Sequence, residues 1–297
     1  MSVSAQAVQK LREITSAGIL DCKKALESSS GDQDKAIQFL REKGKASAAK
    51  KAERSAKEGV VCVWITSEGK NGGMVELNCE TDFVARTKEF QDLAKNLAQQ
   101  VAEEKISSSE DLKSKNLKGS EEAIISVLKE KIGKLGENIV IKKAISLGGD
   151  GIVVGSYVHA PYDSSQECGR LGVLMELTSN LKDANEFSKI AKELSMQVAA
   201  TNPRWVKKED VPAECVQKEK EIYRQQCKES GKPEAAWEKI IDGKLKDFYK
   251  QFCLLEQNHV RDSSGKTSVQ SFINNTAQNL GAAISIQKFA RFKLGEE

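Results

Sequence analysis

One stretch of about ninety residues occurs twice in this chain. The segments GGMVELNC (72–79) and LGVLMELT (171–178) are both strand-like, and Gly72, Glu76 and Leu77 match Gly172, Glu176 and Leu177 at a constant offset of 100. Downstream the offset falls to 97: Phe90, Ala94, Leu97 and Val101 match Phe187, Ala191, Leu194 and Val198, each set at helical spacing. Leu135, Gly136, Ile139 and Ile141 then match Leu280, Gly281, Ile284 and Ile286. Each unit opens with an apolar strand, GVVCVWI (59–65) or GIVVGSYV (151–158), so each reads strand, strand, helix, helix, strand. A duplicated unit of this kind predicts an α+β core of two lobes, residues 58–148 and 149–297, each an antiparallel sheet with helices.

The flanking and inserted segments read differently. Within residues 1–43, Val8 and Leu11, then Ile19, Leu20, Cys22, Ala25 and Leu26, then Ala36, Ile37 and Leu40 recur at helical spacing, punctuated by Gly18 and Gly31-Asp32. That is a three-helix module. Residues 44–57 shift to Ala and Lys with too little apolar stripe to pack, a basic linker of helical or flexible character. The second lobe carries an insertion between its two helices, with a helical hairpin at about 213–252 around Gly231-Lys232-Pro233. Trp237, Ile241, Leu245, Phe248, Phe252 and Leu255 stripe its second helix, and Val216, Tyr223 and Cys227 offer part of a matching face.

Composition narrows the function class. With 46 Lys and Arg against 43 Asp and Glu, the net charge of +3 argues against a dedicated nucleic-acid or membrane-surface protein. Seven cysteines without C-x-x-C spacing predict reduced thiols and a cytoplasmic setting, although a mature organellar protein would show the same sequence features. No apolar run approaches the length of a membrane span. A catalytic or metal site needs convergent groups, and the two histidines, His159 and His259, lack any H-x-x-H partner spacing. Gly265-Lys266-Thr267 lacks the earlier glycine of a phosphate loop and instead predicts a capping box, Thr267 to Gln270, opening a helix. No catalytic residues, metal ligands or cofactor are expected.

One turn remains. Between strand and helix, the first lobe holds three more residues than its counterpart, within Glu80-Thr81-Asp82-Phe83-Val84-Ala85-Arg86. If the turn served only the fold, the second lobe should need it too; against this, Thr81 or Asp82 is a good helix cap and Phe83 a candidate staple. A different class of function, RNA or ribosome binding through the linker, rests on seven Lys or Arg within 41–57 against Glu42 and Glu53, with no aromatics interleaved to stack on bases.

The chain resembles the elongation factor Ts family, the guanine-nucleotide exchange factors for elongation factor Tu. The resemblance rests on Leu11-Arg12-Glu13-x-Thr15-x-x-Gly18-x-x-Asp21-Cys22-Lys23-Lys24-Ala25-Leu26, Asn78-Cys79-Glu80-Thr81-Asp82-Phe83-Val84-Ala85, Gly136-Glu137-Asn138-Ile139, Gly172-Val173-Leu174, Leu254-Leu255-Glu256-Gln257 and Phe289-x-Arg291-Phe292. It implies that the helical module is of the ubiquitin-associated type and docks on the GTPase domain through Arg12, Ile19 and Leu20. It further implies that the loop Thr81, Asp82, Phe83 and Val84 enters the partner near its magnesium and phosphate site, with Leu135, Gly136 and His159 as further contacts. The factor itself would bind no nucleotide. Two departures stand out: Asn258-His259 replaces the family's usual Pro and aromatic, and the stretch from Ala160 to Gly169 is long. Self-association through the second lobe or the hairpin stays open.

Overall fold

The structure, a computed structural model, describes residues 3–15, 17–162, 167–181 and 183–296, with the backbone alone at 45–49 and 184. Part of the long stretch after His159, residues 163–166, therefore lies outside the described residues.

Three helices open the chain: α1 (Ala5–Thr15), α2 (Ile19–Ser28) and α3 (Gln33–Lys51). Their apolar faces close over Leu11, Cys22, Ala25, Leu26 and Ala36, all sealed from solvent. Asp32 caps α3 by accepting the Lys35 N–H at 3.1 Å, and Gly31 makes the preceding turn at φ 84°. The third helix does not stop at Gly44; it runs through the first half of the linker. Ala and Lys are strong helix formers, and a single glycine costs only about 1 kcal/mol. Gly44 is the point where α3 meets Gly133 of the first lobe: a Cβ on Gly133 would stand 2.8 Å from the Gly44 Cα.

The first lobe follows as β1 (Glu58–Ile65), β2 (Asn71–Cys79), α4 (Asp82–Ala85), α5 (Lys88–Glu104), α6 (Ser109–Lys113), α7 (Ile124–Leu135) and β3 (Val140–Gly148). The second comprises β4 (Val153–His159), β5 (Cys168–Gly169), β6 (Leu171–Ser179), α8 (Ala184–Thr201), α9 (Ala213–Glu229), α10 (Trp237–Phe252), α11 (Val269–Leu280) and β7 (Ile284–Lys293). Both sheets are antiparallel, ordered β3-β2-β1-β5 and β4-β6-β7. The protein is α+β, and the duplicated unit is plain in its registers. Glu76 faces Lys143 and Glu176 faces Lys288, and each ladder shifts register immediately afterwards, between Glu76 and Leu77 and between Glu176 and Leu177.

Alternation along the strands sorts their side chains onto two faces. Val60, Cys62, Val75 and Leu77 pack under α5 and α7, and Val173, Met175 and Leu177 under α8 and α11. The opposite faces, with Val61, Val63 and Met74 from one sheet and Val154, Leu174 and Ala290 from the other, meet in a core between the lobes. The layers thus run helices, sheet, sheet, helices. Gly72 and Gly172 sit where the sheets approach closely: a Cβ on Gly72 would lie 2.8 Å from Val154 Cγ1, and one on Gly172 2.7 Å from Val61 Cγ1. Equivalent glycines of the repeat make equivalent contacts across the pseudo-twofold.

Two local expectations are corrected. Cys62 and Cys168 form a disulfide between β1 and β5 across 106 residues, leaving Cys22, Cys79, Cys215, Cys227 and Cys253 as free thiols. The cytoplasmic expectation loses the support it drew from fully reduced cysteines. Ser268, not Thr267, caps α11, accepting the Ser271 N–H at 3.1 Å; the Thr267 N–H is already given to Asp262 at 2.7 Å. His259 is buried and stacks flat on Phe272, with centroids 4.3 Å apart, so it fills the place of an aromatic ring. The hairpin α9–α10 closes over Ile241, Phe248 and Cys227. Among the described residues no helix is long and apolar enough to cross a membrane.

Candidate partner-docking site

The turn after β2 is a single helical turn braced on three sides. Thr81 has extended backbone, φ −125° and ψ 155°, and its hydroxyl accepts the Val84 N–H at 3.4 Å, which makes it the cap of α4. The cap explanation weighed for Thr81 is therefore correct. The staple explanation for Phe83 is not. Phe83 is 79% exposed, whereas Val84 is half-buried against the first-lobe core and Ala85 is sealed within it. Burying a phenylalanine is worth about 2 kcal/mol, a gain the fold leaves unused at Phe83.

A helix of four residues has no stability of its own; tertiary bonds must hold α4. The carboxylate of Glu137, just past the end of α7, supplies most of them. Its Oε2 accepts the N–H groups of Glu80 at 3.1 Å and Thr81 at 3.0 Å, and its Oε1 accepts the Thr81 hydroxyl at 2.6 Å. In return, the Asn138 N–H donates to Glu80 Oε1 at 2.7 Å. Below the turn, the buried Cys79 thiol donates to the Thr81 carbonyl at 3.1 Å. Burial, reinforced by the Glu137 charge, pushes that thiol up to about 12, so it stays protonated and fixed as a donor.

The chain leaving α3 is tied into the same knot. Asn138 Nδ2 donates to the carbonyls of Ala52 at 3.2 Å and Arg54 at 2.8 Å. Asn78 Nδ2 donates to Ala56 O at 3.3 Å, and the Arg54 guanidinium lies 3.6 Å from Glu80. On the outer side, Asp82 Oδ2 stands 3.5 Å from Arg86 Nε, and the Arg86 guanidinium lies over the Tyr162 ring at 5.8 Å.

The structure brings some of the expected contact residues together and leaves others apart. The turn that carries Thr81, Asp82, Phe83 and Val84 is joined to the residue following Leu135 and Gly136: Gly136 ends α7 in the left-handed region, φ 82°, and Glu137 after it bonds Thr81. Leu135 packs half-buried on the first-lobe core. His159 ends β4, exposed, with Nδ1 3.0 Å from the Tyr157 hydroxyl; the described hydrogen bonds do not join its ring to α4. Arg12, Ile19 and Leu20 form a separate surface on the helical module, with Ile19 55% and Leu20 73% exposed. Glu137, Arg86 and Tyr162 were not singled out in the sequence, since a carboxylate in a loop has no periodicity to betray its role.

The fold and the turn thus define a two-lobed α+β protein that presents a braced, protruding aromatic beside an acidic side chain, with a second apolar surface on a helical module. Residues 80–296 match the family model described as Elongation factor TS. Over its whole length the chain is 41% identical to Elongation factor Ts of Trichlorobacter lovleyi, covering 94% of that protein. Over 99% of its length it is 41% identical to Elongation factor Ts of a Type A strain of Clostridium botulinum, and 42% identical to that of a Type B strain, covering 93% of each. The chain belongs to the elongation factor Ts family.

Proposed function

We propose that this chain binds elongation factor Tu in its GDP form and promotes GDP release and exchange for GTP, by inserting the Asp82-Phe83 turn near the partner's magnesium and phosphate site. The observation that carries the reading is Phe83, 79% exposed on a turn held by its neighbours. Exchange needs no covalent step on the factor and no cofactor. By linkage, a factor that binds the empty GTPase more tightly than the nucleotide-loaded one weakens nucleotide binding by the same ratio. Phe83 acts as a wedge between partner elements, and Asp82 sets an anion where the partner holds magnesium and phosphate. Arg12, Ile19 and Leu20 supply a second contact that holds the factor in place while the wedge acts.

Release of labelled GDP from elongation factor Tu tests the reading. A buried aromatic anchor is worth about 2–4 kcal/mol on truncation, so Phe83→Ala should slow stimulated release roughly 30-fold or more. Equal stimulation by the wild-type and Phe83→Ala proteins would sink the wedge role.

A further inference from the structure

We propose that Glu137 is the positioning residue of the exchange turn: it does not meet the partner's nucleotide but fixes the angle at which Phe83 is presented. The inference rests on the exchange reading above, and the observations that carry it are geometric.

Among the described residues, Glu137 is the side chain whose recorded hydrogen bonds reach both the entry and the cap of α4. Its two oxygens take the Glu80 and Thr81 N–H groups and the Thr81 hydroxyl. Those are the donors that a strand end and a helix cap leave without intrahelical partners. A carboxylate accepting three bonds in this way is a charge-assisted cradle, about twice as strong per bond as neutral pairs. The Thr81 hydroxyl, committed as donor to Glu137, is thereby oriented to accept the Val84 N–H. One carboxylate fixes the cap, the cap fixes α4, and α4 aims Phe83. The reciprocal bond from the Asn138 N–H to Glu80 and the bonds from Asn138 to the carbonyls of Ala52 and Arg54 tie this setting to the chain descending from the helical module. Residues 137 and 138 therefore place the turn relative to α3 as well as to the sheet.

A group that acts through Phe83 should have little effect once Phe83 is gone, whereas a group that only supports the fold costs the same either way. The experiment is a cycle of four full-length proteins, wild type, Glu137→Ala, Phe83→Ala and the double variant, assayed for stimulated GDP release from elongation factor Tu over a range of factor concentrations. Glu137→Ala is expected to lower the maximal stimulated rate about tenfold or more in the wild-type background and less than twofold in the Phe83→Ala background. Equal factors in both backgrounds, or no loss in either, would overturn the proposal. Amide hydrogen exchange over residues 80–84 of the free protein gives a reading independent of the partner. In Glu137→Gln, which keeps the shape but loses one acceptor, exchange there should be at least tenfold faster; unchanged exchange would also overturn it. If the wild-type protein stimulates no release, the exchange reading fails on its own, and the hydrogen-exchange result still decides whether Glu137 positions the turn.

Discussion

The Glu137 carboxylate accepts the Thr81 hydroxyl at 2.6 Å, joining the connection between α7 and β3 to a turn 56 residues earlier. Thr81 loses two interactions if its hydroxyl is removed, the bond to Glu137 and the cap on Val84. Thr81→Val should therefore destabilise the protein by about 1–3 kcal/mol, while Thr81→Ser should stay within about 0.5 kcal/mol of wild type. Urea unfolding midpoints measure both. A Thr81→Val protein as stable as wild type would show that the bond contributes nothing net.

Gly72 and Gly172 make a paired prediction. Each faces the opposite sheet so closely that an added methyl must displace Val154 and Leu174 in one case, or Val61, Val63 and Met74 in the other. Neither glycine has positive φ, so packing alone decides the outcome. Gly72→Ala and Gly172→Ala should each cost about 1–3 kcal/mol, and similar amounts, because the repeat gives them the same surroundings. Thermal unfolding of the two variants checks this; tolerance of one and collapse of the other would contradict the equivalence.

The Cys62–Cys168 disulfide closes a loop of about one hundred residues. In the chain-entropy account, that constraint on the unfolded state is worth up to about 4–5 kcal/mol. Alkylation of the oxidised protein under denaturing conditions should label five thiols without reductant and seven with it. Reduction should then lower the thermal midpoint by several degrees. Seven labelled thiols without reductant, from protein kept oxidised throughout, would remove the bond from the fold.

Glu89, on α5, accepts from Lys131 Nζ at 2.5 Å and Lys134 Nζ at 2.8 Å on α7. Burial opposes its charge, but the two lysine hydrogen bonds prevail and the carboxyl is held below its ordinary value of 4.5. A depressed carboxylate contributes stability that is complete above its unfolded pKa and is lost as pH falls through the folded one. The gap between wild type and Glu89→Gln should thus be about 1 kcal/mol at pH 7 and shrink progressively below about pH 4.5. Urea unfolding at pH 7 and pH 3 tests the sign; an undiminished gap at pH 3 would refute it.

The repeat made the lobes readable, because the same backbone geometry was solved twice with the same residues at the same offsets. Gly172 repeats Gly72 at the sheet contact, and Glu176 repeats Glu76 beside the same bulge. Exposure of Phe83 was legible in part, since three added residues in one lobe had no counterpart to justify them. Other features left no trace in the chain. Cys62 and Cys168 meet only because β5 returns to the edge of β1, and no local spacing encodes a pairing across 106 residues. Nor does the sequence show that His259 is buried flat on Phe272, since that contact depends on a fold several segments away. Glu137 lay within a family motif, but its task is fixed by a distance to Thr81, and distances are not written in one dimension.

The unbroken course of α3 has one more implication. A helix advances about 1.5 Å and turns about 100° with each residue, and this one passes from the helical module through Gly44 to the segment tied down at Ala52 and Arg54. It works as a gauge. The separation and heading of Leu20 relative to Phe83 are counted out in residues, so one residue inserted between Gly44 and Lys51 would swing the module about a quarter-turn and take Gly44 off Gly133, while the residues of the two exposed surfaces stay the same.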